Sequence, residues 1–216
     1  MSKFAVIGLG TFGRTVAREL IRLGHEVLGA DISQQAVDRM SNELTYAVIA
    51  DATNEQALKE LNVENFDSIM VAIGENLEAS LLCTLHLKDM GMEDVWVKAI
   101  TLDHHRILAK LGATRIIHPE YEMGLRAAQA LNYPMIRDYL ALGDDYFVVE
   151  VEAGEGLSDR TVEELLENAE SEVHVLAIKR SEKMNLRPDP QYTVQERDKL
   201  VLCGPLDQLK SMADTL

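Results

Sequence analysis

The chain has 216 residues, 47% of them apolar and 26% charged, which suits a buried core and argues against a disordered segment. Residues 1–138 carry 13 Lys and Arg against 19 Asp and Glu, and residues 139–216 carry 8 against 17, so neither part has the basic face that nucleic-acid phosphates or an anionic membrane surface would require. No apolar run approaches the roughly 20 residues of a membrane helix, and Met1-Ser2-Lys3-Phe4 passes straight into an apolar run without a leader pattern, so a cytoplasmic protein is expected.

Phe4-Ala5-Val6-Ile7 reads as a strand and runs into Gly8-Leu9-Gly10-Thr11-Phe12-Gly13. A helical pattern follows, then a second strand, Glu26-Val27-Leu28-Gly29-Ala30, which stops on Asp31. Strand, glycine turn, helix, strand and acid form the layout that holds a nucleotide diphosphate on a helix N-terminus. In that layout Gly8 permits the tight turn, Gly10 lets backbone approach a pyrophosphate, and Gly13 lets the helix pack on the strand. The amides of Thr11 and Phe12 are placed for phosphate, and Arg14 is either a source of charge for it or an exposed helix cation. Asp31 comes 21 residues after Gly10. A carboxylate there accepts from both ribose hydroxyls and repels a 2′-phosphate, so NAD, ATP or ADP fit better than NADP.

The alternation continues. Residues 33–43 form a helix capped by Ser33, Tyr46–Ala50 a strand closing on Asp51-Ala52-Thr53, and residues 54–62 a helix. Ser68–Ile73 is a buried strand closing on Gly74-Glu75-Asn76, and 77–90 is an amphipathic helix. Val95–Ala99 is a fifth strand containing Lys98, 104–111 a helix, and Arg115–Ile117 a sixth strand before His118-Pro119. This predicts a Rossmann-like α/β fold, a doubly wound parallel sheet whose ligand site lies beyond the carboxyl ends of the strands near the switch between the first and fourth. Asp31 and Ile32, Asp51, Ala52 and Thr53, Ile73, Gly74, Asn76 and Glu78, and Lys98 then surround one crevice. Asp51 is placed for an adenine amino group, and Lys98 either reaches phosphate or snorkels from the sheet end.

His104-His105 reads as polar residues at a helix start, since neighbours about 100° apart do not share a metal-binding face. Glu120 opens the helix 120–132 and either complements its dipole or reaches a cation or neighbouring subunit. Asn132-Tyr133-Pro134 breaks that helix. Beyond about residue 138 the pattern changes to a small α+β lobe, with strands at Tyr146–Val151, Val173–Ile178 and Leu200–Gly204, a short helix at 161–167, a Pro-bearing turn at 187–190 and a closing helix at 206–215. Cys83 and Cys203 read as reduced core thiols. Asp144-Asp145 and Glu163-Glu164 read as a solvated face. An oxidoreductase would need a proton donor in this lobe, and His174, in a buried strand pattern, is the one histidine offered; no enzyme activity is expected.

Phe-Ala-Val-Ile-Gly-Leu-Gly-Thr-Phe-Gly at 4–13, Val-Ile-Ala-Asp-Ala-Thr at 48–53, Val-Ala-Ile-Gly-Glu-Asn-Leu-Glu-Ala-Ser at 71–80, Val-Trp-Val-Lys-Ala at 95–99 and Arg-Ile-Ile-His-Pro-Glu at 115–120 resemble the KtrA/TrkA type of RCK protein over the whole chain. The resemblance implies an RCK N-terminal nucleotide-binding domain at 1–124, a crossover helix and linker at 125–138, and an RCK C-terminal (TrkA-C) lobe at 139–216. It implies a cytosolic regulatory subunit of a bacterial potassium channel or transporter, docked on a KtrB- or TrkH-like membrane protein as an octameric ring of homodimers. ATP and ADP would bind the N-lobe and shift the ring between shapes, and some relatives bind NAD or NADH. A carboxylate at the position of Glu120 would help hold a divalent cation, Mg or Ca, at the dimer interface. Cyclic di-AMP would bind between C-lobes near Ile178–Pro190, with Arg180 and Pro188 as candidates. Where relatives commonly carry Arg between the second and third glycines, this chain has Thr11, with Arg14 one turn on.

Overall fold

A computed structural model describes residues 1–132, 136–154, 156, 158–167 and 172–213. The chain divides into two compact units, Met1–Glu122 and Met123–Leu216.

The first unit alternates strand and helix: β1 (Lys3–Ile7), α1 (Thr11–Arg22), β2 (Glu26–Asp31), α2 (Gln34–Met40), β3 (Tyr46–Ile49), α3 (Glu55–Glu60), β4 (Ser68–Val71), α4 (Leu77–Asp89), β5 (Val95–Lys98), α5 (Leu102–Lys110), β6 (Arg115–Ile117) and the start of α6 (Pro119–Asn132). The strands pair in parallel in the order β3-β2-β1-β4-β5-β6. Strand side chains alternate between two covered faces. Ala5, Ile7, Ile69, Val71, Val95 and Val97 face a core with Leu58, Leu87 and Leu108 from α3, α4 and α5. Val6, Val27 and Met70 face the other core with Ala17, Val37 and Met40 from α1 and α2. This is the doubly wound sheet expected, and the order of strands reverses between β1 and β4. Local chemistry sets the helix starts: the side chains of Ser33, Asn54, Asn76 and Thr101 accept from backbone N–H groups at the first turns of α2, α3, α4 and α5.

The second unit continues through β7 (Ile136–Gly143), β8 (Tyr146–Glu152), α7 (Val162–Glu167), β9 (His174–Arg180), β10 (Lys183–Leu186), β11 (Lys199–Pro205) and α8 (Leu206–Ala213). Its sheet is antiparallel, in the order β10-β9-β11-β8-β7. Val149, Val151, Leu200 and Leu202 pack with Leu165 of α7 and Leu209 and Met212 of α8. Two strands of this sheet were not expected. β7 carries Leu140 and Leu142 exposed; it is made by its hairpin, whose Asp144 and Asp145 both take φ near +50° to +60° as a tight turn requires. β10, Lys183-Met184-Asn185-Leu186, pairs on one side with β9 across a turn where Ser181 has φ 55°, and its Met184 and Leu186 are exposed. The expected break at Asn132-Tyr133-Pro134 lies partly, and the last residues of the closing helix lie wholly, outside the described residues.

Cys83 is buried, which pushes its thiol up to about 12, whereas Cys203 is half-buried. His174 is exposed, correcting its expected burial: it begins β9 at the sheet end. Among the described residues no helix is long and apolar enough to cross a membrane.

Candidate functional site

The glycine turn is bound tightly to the sheet. Gly8 has φ +97°, and its N–H donates to the Ala30 carbonyl at 2.8 Å. A Cβ on Gly13 would stand 1.9 Å from the Gly8 carbonyl oxygen, so α1 presses directly on the turn and admits no side chain there. Asp31 closes the turn from the end of β2. Its Oδ2 accepts from the Leu9 N–H at 2.6 Å and its Oδ1 from the Ser33 N–H at 2.8 Å. Each carboxylate oxygen has a further lone pair, so Asp31 still has acceptor capacity. Gly10 differs from its neighbours: its φ is −64°, and a Cβ on it would meet no protein atom within 4 Å. Nothing in the folded chain requires a glycine at that position.

Gly10 is also the N-cap of α1 and supplies no side chain to the first turn, which has no acidic residue. The amides of Thr11, Phe12 and Gly13 therefore stand at the positive end of the helix dipole without a side-chain cap. Thr11 is exposed, and its carbonyl accepts from the Thr15 hydroxyl at 2.9 Å. Arg14 is half-buried, and no ion pair holds it among the described residues.

The remaining candidates follow the strand ends. Ile32 is 70% exposed after β2. After β3, Asp51 Oδ1 accepts both the Thr53 N–H at 2.9 Å and the Thr53 hydroxyl at 2.7 Å, and these bonds hold its carboxyl below the usual carboxylate range. Ala52 is buried beneath them. After β4, Ile73 and Gly74 are half-buried, Asn76 spends its side-chain oxygen on the Ala79 N–H, and Glu78 is exposed in the first turn of α4.

Lys98, at the end of β5, has a side chain only 12% exposed, and its Nζ lies 2.5 Å from Glu120 Oε1 at the start of α6. The same ammonium approaches Gly74, where a Cβ would be 3.1 Å from it, and sits 5.9 Å from the centre of the Phe12 ring. Of the two alternatives for Lys98, snorkelling to water is the one to correct: its side chain is enclosed and Glu120 holds its ammonium. The ammonium in turn holds the Glu120 carboxyl below its ordinary range. Within one chain the donors do not fit a divalent cation. Glu120 is a single carboxylate already bearing an ammonium, and among the described residues no group of three His, Cys, Asp or Glu side chains could hold a metal ion.

His104 lies in the first turn of α5, the helix start expected of the pair, and is fully buried; its Nδ1 accepts from the Ile100 N–H at 3.3 Å. His105 Nδ1 and His118 Nε2 are 2.8 Å apart. Their ring planes differ by 14° with centroids 5.0 Å apart, about the nitrogen separation plus two ring radii. The rings therefore lie end to end and share a hydrogen bond between α5 and the start of α6. His86, on α4, has its Nε2 3.1 Å from the Thr53 carbonyl. Its one sequence signal is a polar residue amid Leu-Leu-Cys-Thr-Leu-His-Leu.

Residues 4–119 match the model of the TrkA-N domain family and residues 146–216 that of the TrkA-C domain family. The Ktr system potassium uptake protein A of Bacillus subtilis (strain 168) is 42% identical over 208 residues, 96% of this chain and 94% of its own. The protein of the same name from Vibrio alginolyticus is 35% identical over 214 residues, 99% of this chain and 97% of its own. Among solved structures, the RCK domain of GsuK superposes with a TM-score of 0.58 at 19% identity, covering 99% of this chain and 46% of that one, a likeness of fold. With both domain models matched in order and full-length relatives of this similarity, the chain belongs to the TrkA-N/TrkA-C family of RCK proteins that includes the Ktr system potassium uptake proteins.

Proposed function

We propose that this chain is the nucleotide-sensing regulatory subunit of a bacterial potassium uptake system, and that it takes adenine nucleotides, ATP or ADP, in the crevice beyond β1 and β4. One observation carries the reading: Gly10 is glycine where the fold leaves room for a side chain, at the uncapped N-terminus of α1. That combination serves a ligand whose phosphates come up against the backbone. The Ktr names of the relatives supply the potassium system.

In this reading the amides of Thr11, Phe12 and Gly13 and the dipole of α1 receive the diphosphate, and Asp31 accepts from the ribose hydroxyls with its unused lone pairs. Ile32 covers the ribose edge, and Asp51 meets the base. Ala52, Thr53, Ile73 and Gly74 shape the walls. Asn76 and Glu78 begin α4 at the rim. Lys98 supplies the positive charge, and Arg14 the charge for a terminal phosphate in place of the arginine that Thr11 replaces.

Regulation needs a difference in affinity between two shapes of the assembly, since a ligand that binds both equally shifts nothing. The third phosphate of ATP is the natural source of that difference. A ring of homodimers, octameric by family resemblance, would pass it to an integral membrane partner of the KtrB or TrkH kind. NAD and NADH fit the same ribose and diphosphate contacts. Cyclic di-AMP at the second unit rests on the resemblance alone: Arg180 is already bound by Asp198, and Pro188 is half-buried in the turn.

The test is titration of the purified full-length chain with ATP, ADP, NAD and NADH, read by calorimetry and by the mass of the assembly. Submicromolar to micromolar binding of ADP or ATP, with a different assembly shape in each, is expected. NADH binding alone, with no adenine di- or triphosphate bound, overturns the reading. Asp31→Ala is expected to weaken every ribose-bearing ligand.

A further inference from the structure

The hydrogen bonds behind Asp51 continue past it. Thr53 gives both its N–H and its hydroxyl proton to one oxygen, Asp51 Oδ1. The Thr53 carbonyl receives a hydrogen bond of 3.1 Å from His86 Nε2, in the third turn of α4. A carbonyl only accepts, so His86 carries its proton on Nε2, and the bond forms whether the imidazole is neutral or charged. The residues after β3 are thus pinned from two sides. Asn54 donates from its backbone to the Asp51 carbonyl at 3.1 Å, and α4, whose Leu87 and Cys83 are fully buried in the core, holds Thr53 through His86.

We infer that His86 is a positioning residue that fixes Thr53, and through Thr53 the Asp51 carboxylate, so that the site selects a purine with an exocyclic amino group over one with an oxo group. This deepens the adenine-nucleotide reading above and rests on it.

The selectivity follows from donor and acceptor chemistry. With two donors on Oδ1, the carboxyl is held ionised, and Oδ2 accepts no hydrogen bond from the described residues. An ionised carboxylate only accepts. Adenine offers an amino N–H pair at C6, whereas hypoxanthine offers an oxygen in the same place, which would face the carboxylate without a proton between them. Discrimination of this kind requires the carboxylate to stay where it is: a carboxylate free to rotate turns away from an oxo group at little cost. His86 and Thr53 remove that freedom.

The experiment compares ADP with inosine diphosphate on the full-length chain by calorimetry, since the two differ at the group that Asp51 is to read. The wild-type chain is expected to favour ADP by at least about ten-fold. His86→Ala should weaken ADP by about five-fold, the value of one hydrogen bond, and leave inosine diphosphate almost unchanged, so the ratio narrows. His86→Gln keeps a donor of similar reach and should restore most of the ratio. Thr53→Val removes the hydroxyl donor without touching α4 and should narrow the ratio in the same direction, which decides the matter if His86→Ala does not fold. A wild-type chain that binds ADP but does not discriminate overturns the inference and leaves the nucleotide reading standing. So does a His86→Ala chain in which both ligands weaken by the same factor. A wild-type chain that binds neither overturns both.

Discussion

Lys98 and Glu120 form an unequal pair: the ammonium is almost enclosed, with 12% of its side chain exposed, and the carboxylate 2.5 Å away is 70% exposed. Glu120, open to water, can leave the contact when another anion takes its place on the enclosed ammonium. Lys98 cannot, because its stem lies over Gly74 and beside Phe12. On the nucleotide reading, an entering phosphate is expected to take the place of Glu120 on this ammonium.

Two substitutions should then move affinity in opposite directions. Without divalent metal, Glu120→Gln is expected to raise ADP affinity by about three-fold, by removing the internal competitor. Lys98→Met is expected to lower it by about ten-fold, the loss of one charge-assisted hydrogen bond. Calorimetry at fixed ionic strength reads both. Glu120→Gln weakening ADP would mean that the carboxylate helps the phosphate and does not compete with it.

His104 makes the stability of the first unit depend on pH. The side chain is fully buried, its Nδ1 accepts from the Ile100 N–H, and its Nε2 has no hydrogen-bond partner among the described residues. Burial lowers its affinity for a proton below the ordinary value of 6.5, and the charge of His118 lowers it further. In the unfolded chain the imidazole protonates near 6.5; in the folded chain it does so only at lower pH. Across that interval the unfolded state binds more protons, so stability is complete above about pH 6.5 and falls as pH drops. The slope reaches at most about 1.4 kcal/mol per pH unit for a single group. Trp96, the one tryptophan, lies on β5 and reports on this unit. Urea midpoints followed by its fluorescence should fall between pH 6.5 and 5, and the difference between wild type and His104→Gln should carry that slope. Parallel pH profiles for the two chains would remove His104 as the cause.

Much of the first unit was legible because each signal was local and repeated. Val6, Ile69 and Val97 sit in continuous apolar strands that a two-sided parallel sheet requires, and Gly24, Gly91 and Gly112 end helices at positive φ. Gly8, which turns at positive φ, and Gly13, which lies against that turn, likewise do physically what their spacing announced. The pairings across the chain were not legible. No local rule brings Lys98 to Glu120 or His105 to His118, since β5, β6, α5 and α6 meet only in the folded sheet. The burial of His104 was not legible, because neighbouring helix positions differ by about 100° and the sequence does not say which of two adjacent histidines turns inward. β7 was missed because a hairpin strand with exposed leucines is stabilised by its ladder with β8 and not by a buried face.

The second unit has its own electrostatic clamp. Arg180 of β9 donates from Nε and Nη2 to the two oxygens of Asp198, at 2.8 and 2.7 Å, gives a further bond to the Thr193 carbonyl and lies 5.1 Å from the centre of the Tyr192 ring. Asp198 is 1% exposed, yet despite the burial that opposes its charge, Arg180 and the Gln195 N–H keep its carboxyl below the ordinary range. Arg180→Met strands that carboxylate and should cost about 3 kcal/mol. Arg180→Lys, which keeps the charge and loses the fork, should cost less. Hydrogen exchange at the amides of β9 and β11 is the measurement. Protection unchanged in Arg180→Met would show that the loop before β11 closes without the arginine.

The glycines of the turn separate what the fold needs from what a ligand needs. At Gly13 an added methyl group would stand 1.9 Å from the Gly8 carbonyl oxygen, which is backbone and cannot step aside unless α1 lifts off the turn. Gly13→Ala should therefore destabilise the first unit by about 3 kcal/mol or more, as overpacking against fixed backbone does, and lower the urea midpoint read by Trp96. At Gly10 the same methyl group meets nothing within 4 Å, and φ −64° suits any residue. Gly10→Ala should unfold at the wild-type midpoint or slightly above it, because alanine restricts the unfolded chain more than glycine does. It should nevertheless bind ADP at least about ten-fold more weakly, since the methyl group occupies the space into which the diphosphate brings its oxygens. The two variants differ by one methyl group placed three residues apart, so a common effect on folding or purification cannot produce opposite patterns. Gly10→Ala binding ADP as the wild type does would place the nucleotide phosphates elsewhere and leave the N-terminus of α1 without that role.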